Sequence, residues 1–172
     1  VLKTIDLKMS PNNFERLVRL AEEVFSVKND PSQLNVDNEI IKRLQRIHPC
    51  TVSEYDVGQG PVAWVLVIPS KSELMHRFIN GNISEKELFD LTPVDAEYEA
   101  LYLCSALVLE EYRRKGITKR LVQEAINNIR IMHPIKALFV WPFTNEGDLA
   151  AEKISKLTQL PLYKRKTAKE YH

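Results

Sequence analysis

Apolar residues recur along the chain with two different periods, and the changes of period mark its elements. Phe14, Leu17, Val18, Ala21, Val24 and Phe25 fall three or four apart after Ser10 and Pro11. That is the stripe of an amphipathic helix opened by a serine cap and a proline. A second, shorter helix is expected after Asp37 from Ile40, Ile41, Leu44 and Ile47, with Pro49 closing it. Residues 51–57 and 62–68 are instead rich in β-branched and aromatic side chains, and Gly58-Gln59-Gly60-Pro61 breaks them into an antiparallel hairpin. Ser70 with Glu73 and Ser84 with Glu87, separated by Gly81, have the spacing of two capping boxes and predict two short helices within 70–94.

Residues 98–109 are apolar on both alternations. Ala100, Tyr102, Cys104, Ala106 and Val108 lie on one, Leu101, Leu103, Leu107 and Leu109 on the other. The pattern predicts a strand buried on both faces. Helical spacing resumes at Ile117, Leu121, Val122, Ala125, Ile126 and Ile129, and residues 137–141 form a further strand after Pro134. Strand, basic turn, helix and strand make a βαβ unit. Leu149, Ala150, Ile154 and Leu157 predict one more helix and residues 160–165 a last strand. The chain of 172 residues reads as one α/β (α+β) domain over 1–172, with a helical insertion at about 70–94 and no internal repeat.

Charge and cysteine content narrow the function classes. Lys and Arg number 24 against 23 for Asp and Glu, so no global field draws in nucleic acid or an anionic membrane, and neither is expected as a partner. Cys50 and Cys104 form no CxxC pair, and His48, His76, His133 and His172 are scattered singly, so no disulfide framework and no metal site is expected. No apolar stretch approaches the roughly 20 residues of a membrane-spanning helix. A cytoplasmic location is the expectation that fits this composition.

The candidate chemistry lies between the buried strand and the following helix. There Arg113, Arg114 and Lys115 precede Gly116, Ile117 and Thr118. A helix start leaves backbone N–H groups unpaired and carries partial positive charge, and glycine lets a ligand approach the backbone. Three cations added to such a turn make a site for phosphate or pyrophosphate. A short charge run alone is more often a solvated turn; its place between strand and helix favours the phosphate reading.

These residues resemble the signature of the GNAT superfamily of acyl-CoA N-acyltransferases, Arg/Gln-x-x-Gly-x-Gly/Ala, through Arg113, Gly116 and Thr118. The longer family pattern is similar through Val108, Glu111, Tyr112, Arg113, Gly116 and Ile117. The chain departs from it with Glu110 where proline is common and Thr118 where a smaller residue is usual. The resemblance implies a mixed, mainly antiparallel central sheet flanked by helices and splayed at the cofactor site. It implies acetyl-CoA (CoA) as co-substrate and a primary amine of a small molecule or peptide as acceptor. The pantetheine arm would lie along Ala106, Leu107, Val108 and Leu109, with the phosphates at Arg113, Arg114, Lys115, Gly116, Ile117 and Thr118. Asn145 matches an asparagine frequent after the next strand, where a helix cap is the competing reading.

Direct attack on a thioester needs a proton acceptor within reach. Glu99 at the start of the central strand is one candidate. Tyr102, at the strand position of a catalytic glutamate in some relatives, is another. The helix expected at 149–157 holds no tyrosine to protonate the departing thiolate, as family members often have. That absence favours the alternative of a non-catalytic acyl-CoA-binding or protein-interaction module on the same fold. The insertion at 70–94 is expected to shape the acceptor pocket or to build a homodimer contact.

Overall fold

The computed structural model describes residues 12–26 and 38–166. The helix start read at Ser10 and Pro11, and Asp37 and His172, lie outside the described residues. Helix α1 spans Asn13–Ser26, and Asn12 Oδ1 accepts the Glu15 N–H at 2.9 Å, which satisfies one of its open donors. Helix α2 spans Asn38–Ile47 and gives way before Pro49 to a 3₁₀ turn. Strands β1 (Val52–Asp56) and β2 (Pro61–Ser70) form the expected hairpin. Helices α3 (Ser72–Ile79) and α4 (Glu85–Leu91) are the two short helices expected within 70–94. Then come β3 (Ala100–Val108), α5 (Ile117–Met132), β4 (Ala137–Val140), α6 (Asn145–Thr158) and β5 (Leu162–Lys164). No helix among the described residues is long and apolar enough to cross a membrane.

The five strands form one sheet in sequence order. β1–β2 and β2–β3 pair antiparallel through long ladders, whereas β3–β4 and β4–β5 pair parallel over three residues each. The result is the mixed, mainly antiparallel sheet flanked by helices that the GNAT-like pattern implied. One face, through Val65, Val67, Leu101 and Leu138, packs on Leu17 of α1, Leu121 and Ile126 of α5 and Ile154 of α6. The other, through Ile68, Ala100, Tyr102 and Phe139, packs on Leu44 of α2, Leu74 and Phe78 of α3 and Leu88 of α4. Each such aliphatic or aromatic side chain stabilises the fold by about 1.5–3 kcal/mol when fully buried.

Three expectations change. Ser84 and Glu87 form the reciprocal capping box of α4, but Ser70 does not cap α3. Its hydroxyl is buried at the end of β2, 2.7 Å from that of Thr92, and α3 starts at Ser72 with no side-chain cap. Ser70 belongs to a strand whose partner continues beside it, so its side chain serves the sheet. The cap of α6 is Thr144, whose hydroxyl accepts the Gly147 N–H at 3.0 Å, and Asn145 is the first helical residue. The third change is in β3, which is buried over residues 100–102 and only half-buried beyond them apart from the exposed Ala106.

Candidate active site

β3 loses its second neighbour at Tyr102. The β4 register pairs Ala100 with Ala137, Leu101 with Leu138 and Tyr102 with Phe139, and stops there. β2 follows β3 as far as Val108, and the Leu109 N–H continues this side to Val62 O at 2.9 Å. Two features open the fork. Pro142 has no N–H to extend a ladder, and Thr144 then starts α6, so β4 ends at Val140. On β3 the register jumps from Val67–Leu103 to Leu66–Ser105, leaving Cys104 as the extra residue of a bulge, a device that adds local twist. Residues 103–108 therefore carry an open backbone edge where β4 would lie. This is the splay implied by the resemblance, and it includes the predicted Leu107 and Val108.

That edge runs into the basic loop. A 3₁₀ turn over Glu110–Tyr112 follows the buried Leu109, and Arg113 Nε donates to Val108 O at 3.1 Å. Arg114 (φ 62°) and Gly116 (φ 75°) both adopt left-handed backbone. Gly116 precedes α5, and among the described residues no side chain caps the N–H groups of its first turn. A Cβ built on Gly116 would meet nothing within 4 Å. Glycine is needed here for its φ, and the space in front of it is open. Ile117 is buried as the first core residue of α5, and Thr118 is half-buried. Arg113, Arg114 and Lys115 are exposed; Lys115 Nζ lies 5.4 Å from the Tyr112 ring centre. Among the described residues Arg114 has no carboxylate partner.

The loop is tied to α1 from outside. Arg16 meets the Glu111 carboxylate with both terminal nitrogens, at 2.5 and 2.8 Å. The hydrogen bonds from Arg16 hold the Glu111 carboxyl down at about 2. This clamp joins positions 95 apart in sequence, which no local pattern could have signalled.

The two proton-acceptor candidates separate. Glu99 stands at the other end of β3 from the open edge, with its carboxylate 3.1 Å from Lys71 Nζ, beside a cavity of about 460 Å³ lined also by Arg77. Tyr102 lies at the fork, stacked on Phe139 at 5.0 Å, and its hydroxyl donates a 2.5 Å hydrogen bond to Glu85 Oε2. Burial pushes the Tyr102 phenol well above its ordinary range, with Cys104 and Glu85 adding to the effect. Sequence reading passed over Glu85, because an acidic residue in the first turn of a helix ordinarily needs no explanation beyond the helix dipole. Asn145 is exposed where β4 passes into α6, on a second cavity of about 310 Å³ with Phe143, Lys164 and Arg165.

No family model and no curated protein matches the chain. Among solved structures, it is similar to that of Chaetomium thermophilum Naa20 in complex with a bisubstrate analogue, with a TM-score of 0.49 and 16% identity. The match covers 81% of this chain and 64% of that one, so this chain spans less than two thirds of its neighbour.

Proposed function

We propose that the chain binds acetyl-CoA in the fork between β3 and β4 and transfers the acetyl group to a primary amine of a small molecule or peptide. The observation that carries this reading is the open edge of residues 103–108 running directly into an uncapped helix start flanked by exposed cations. An extended arm with amide groups can hydrogen-bond to a strand edge as an added strand would. Pantetheine is such an arm. Its pyrophosphate would reach the first-turn N–H groups of α5, where bound anions are favoured, with Gly116, Ile117 and Thr118 beneath it. Arg113 holds Val108 O through Nε, and its terminal nitrogens with the exposed Arg114 and Lys115 would meet phosphate.

In the fork the amine attacks the thioester carbon, the C–S bond breaks, and the thiolate of CoA departs. Leu107, Val108 and Leu109 would flank the arm, and Asn145 would meet its far side from the start of α6. A binding module without turnover is the second reading. It is favoured by the absence of tyrosine from α6 and by the distance along β3 of Glu99 from the open edge.

The test pairs binding with turnover. CoA should raise the melting temperature, and acetyl-CoA should release thiol with at least one member of a panel of small amines and free-amino peptides. Arg114→Asn with Lys115→Gln should weaken CoA more than pantetheine, which lacks the pyrophosphate, and high salt should reproduce part of that loss in the wild type. Asparagine is chosen because it tolerates the left-handed backbone at position 114. Equal losses for CoA and pantetheine would remove the phosphate assignment. Binding without thiol release would leave the second reading.

A further inference from the structure

The sheet face covered by α3 and α4 is an apolar cluster that contains a buried phenol–carboxylate pair. Tyr102 shares this cluster with Leu66, Ile68, Phe78, Leu88 and Phe139, and its hydroxyl meets the buried carboxylate of Glu85 at 2.5 Å. Taking a carboxylate out of water is costly unless it is hydrogen-bonded, and a surface position for an acid was available one residue on, at the exposed Lys86. Two other ionisable groups act on the Tyr102 phenol. Cys104 comes from the same strand, and Arg165 follows β5. The Arg165 guanidinium lies 4.5 Å from the ring centres of both Phe78 and Trp141 and donates to Ile83 O at 2.8 Å. α4 is held in place by its capping box and by Arg43, which reaches the backbone carbonyls of Phe89 and Thr92. The carboxylate therefore sits at a fixed point over this face of the sheet, hydrogen-bonded to the side chain of the last laddered residue of β3.

We propose that Glu85 is the proton acceptor for the attacking amine and that Tyr102 positions its carboxylate, an inference that rests on the acyl-transfer reading above. Glu85 is 9% exposed and Tyr102 1%, so of the pair Glu85 is the residue nearer the surface and the phenol the enclosed one. As the amine lone pair forms the C–N bond and the C–S electron pair leaves on the thiolate, an N–H proton passes to the Glu85 carboxylate. It then passes through solvent to the thiolate, which restores the carboxylate and yields CoA as the thiol. Tyr102 keeps its own proton throughout. The insertion thus supplies the group that the strand itself lacks at position 102.

Glu85→Gln keeps an acceptor for the phenol but cannot take up a proton. It should lower kcat for acetyl transfer by about 100-fold, the lower end of the range for general base catalysis. The KM for acetyl-CoA and the CoA-induced melting shift should stay unchanged. Tyr102→Phe should cost less, about 10-fold, and nothing further in the Glu85→Gln background, because groups that act as a unit are not additive. One arm needs no acceptor. The alkaline titration of Tyr102, assigned by its absence from Tyr102→Phe, should begin at lower pH in Glu85→Gln, where the neighbouring negative charge is gone.

The proposal is overturned if Glu85→Gln transfers acetyl at the wild-type rate, if Glu99→Gln carries the loss instead, or if the phenol titration does not move. Wild type that binds CoA but releases no thiol with any amine overturns the proton-acceptor role and leaves CoA binding standing. Wild type with no CoA response removes the functional reading itself.

Discussion

The two halves of β3 are made of the same kinds of residue and live in different surroundings. Ala100, Leu101 and Tyr102 have a strand on either side and are buried, whereas residues 103–108 have only β2 and remain mostly half-buried. Apart from Ser105, the side chains do not set the halves apart. What does is the neighbour, which stops at Val140 ahead of Pro142, and the bulge at Cys104, which turns β3 aside. Apolar composition thus serves a core in one half and an open strand edge in the other.

Substitutions should separate the halves sharply. Leu101→Ala removes a fully buried side chain from the first half and should cost about 2–5 kcal/mol in denaturant unfolding, the range for a core leucine that leaves a cavity. Leu107→Ala, in the half-buried stretch, should cost about 1 kcal/mol or less by the area it buries, and should weaken CoA instead. Similar stability losses at both positions would mean that the second half is core after all.

At the end of the open half, Gly116→Ala meets no steric contact but must hold φ 75°. A side chain in left-handed backbone costs roughly 1–2 kcal/mol, so the unliganded protein should melt lower and the CoA-induced shift should shrink. An alanine variant of wild-type stability would show that the loop relaxes out of the left-handed conformation.

The smallest effect concerns the clamp that carries the loop. The Glu111 carboxyl is held at about 2 by Arg16, from an ordinary 4.5, so its contribution is present above the unfolded value and is lost as pH falls through the folded one. The melting difference between wild type and Glu111→Gln should therefore be constant near neutrality and fade on acidification from about 4.5 towards about 2. The pair is exposed and bidentate, so added salt should reduce the same difference. A difference that persists undiminished at low pH would assign the role of Glu111 to something other than its charge.

Much of this arrangement was legible in the chain, and the exceptions share a cause. Periodicity located the core stripe of α5 through Ile117, Leu121, Val122, Ala125, Ile126 and Ile129, all of which are buried. The Ser84–Glu87 box held because both partners lie in one helical turn. Ser70 has the same spacing to Glu73 but is claimed by the β2 strand and by Thr92, a partner 22 residues on. The fork was implied only by resemblance, since apolar residues at 103–108 read like those at 100–102. The Glu85–Tyr102 bond and the Arg16–Glu111 clamp are tertiary meetings of residues 17 and 95 apart, and their local surroundings are an ordinary helix start and an ordinary surface arginine.

Hydrogen exchange of the backbone amides with and without saturating CoA tests the difference between the two halves most directly. CoA should slow exchange within residues 103–108, at the amides on the open edge, and within residues 114–119 at the start of α5. Residues 100–102, already in ladders on both sides, should exchange as before. Protection absent from residues 103–108, or confined to residues 71–77 beside the cavity at Glu99, would contradict the assignment of the fork as the acyl-CoA site.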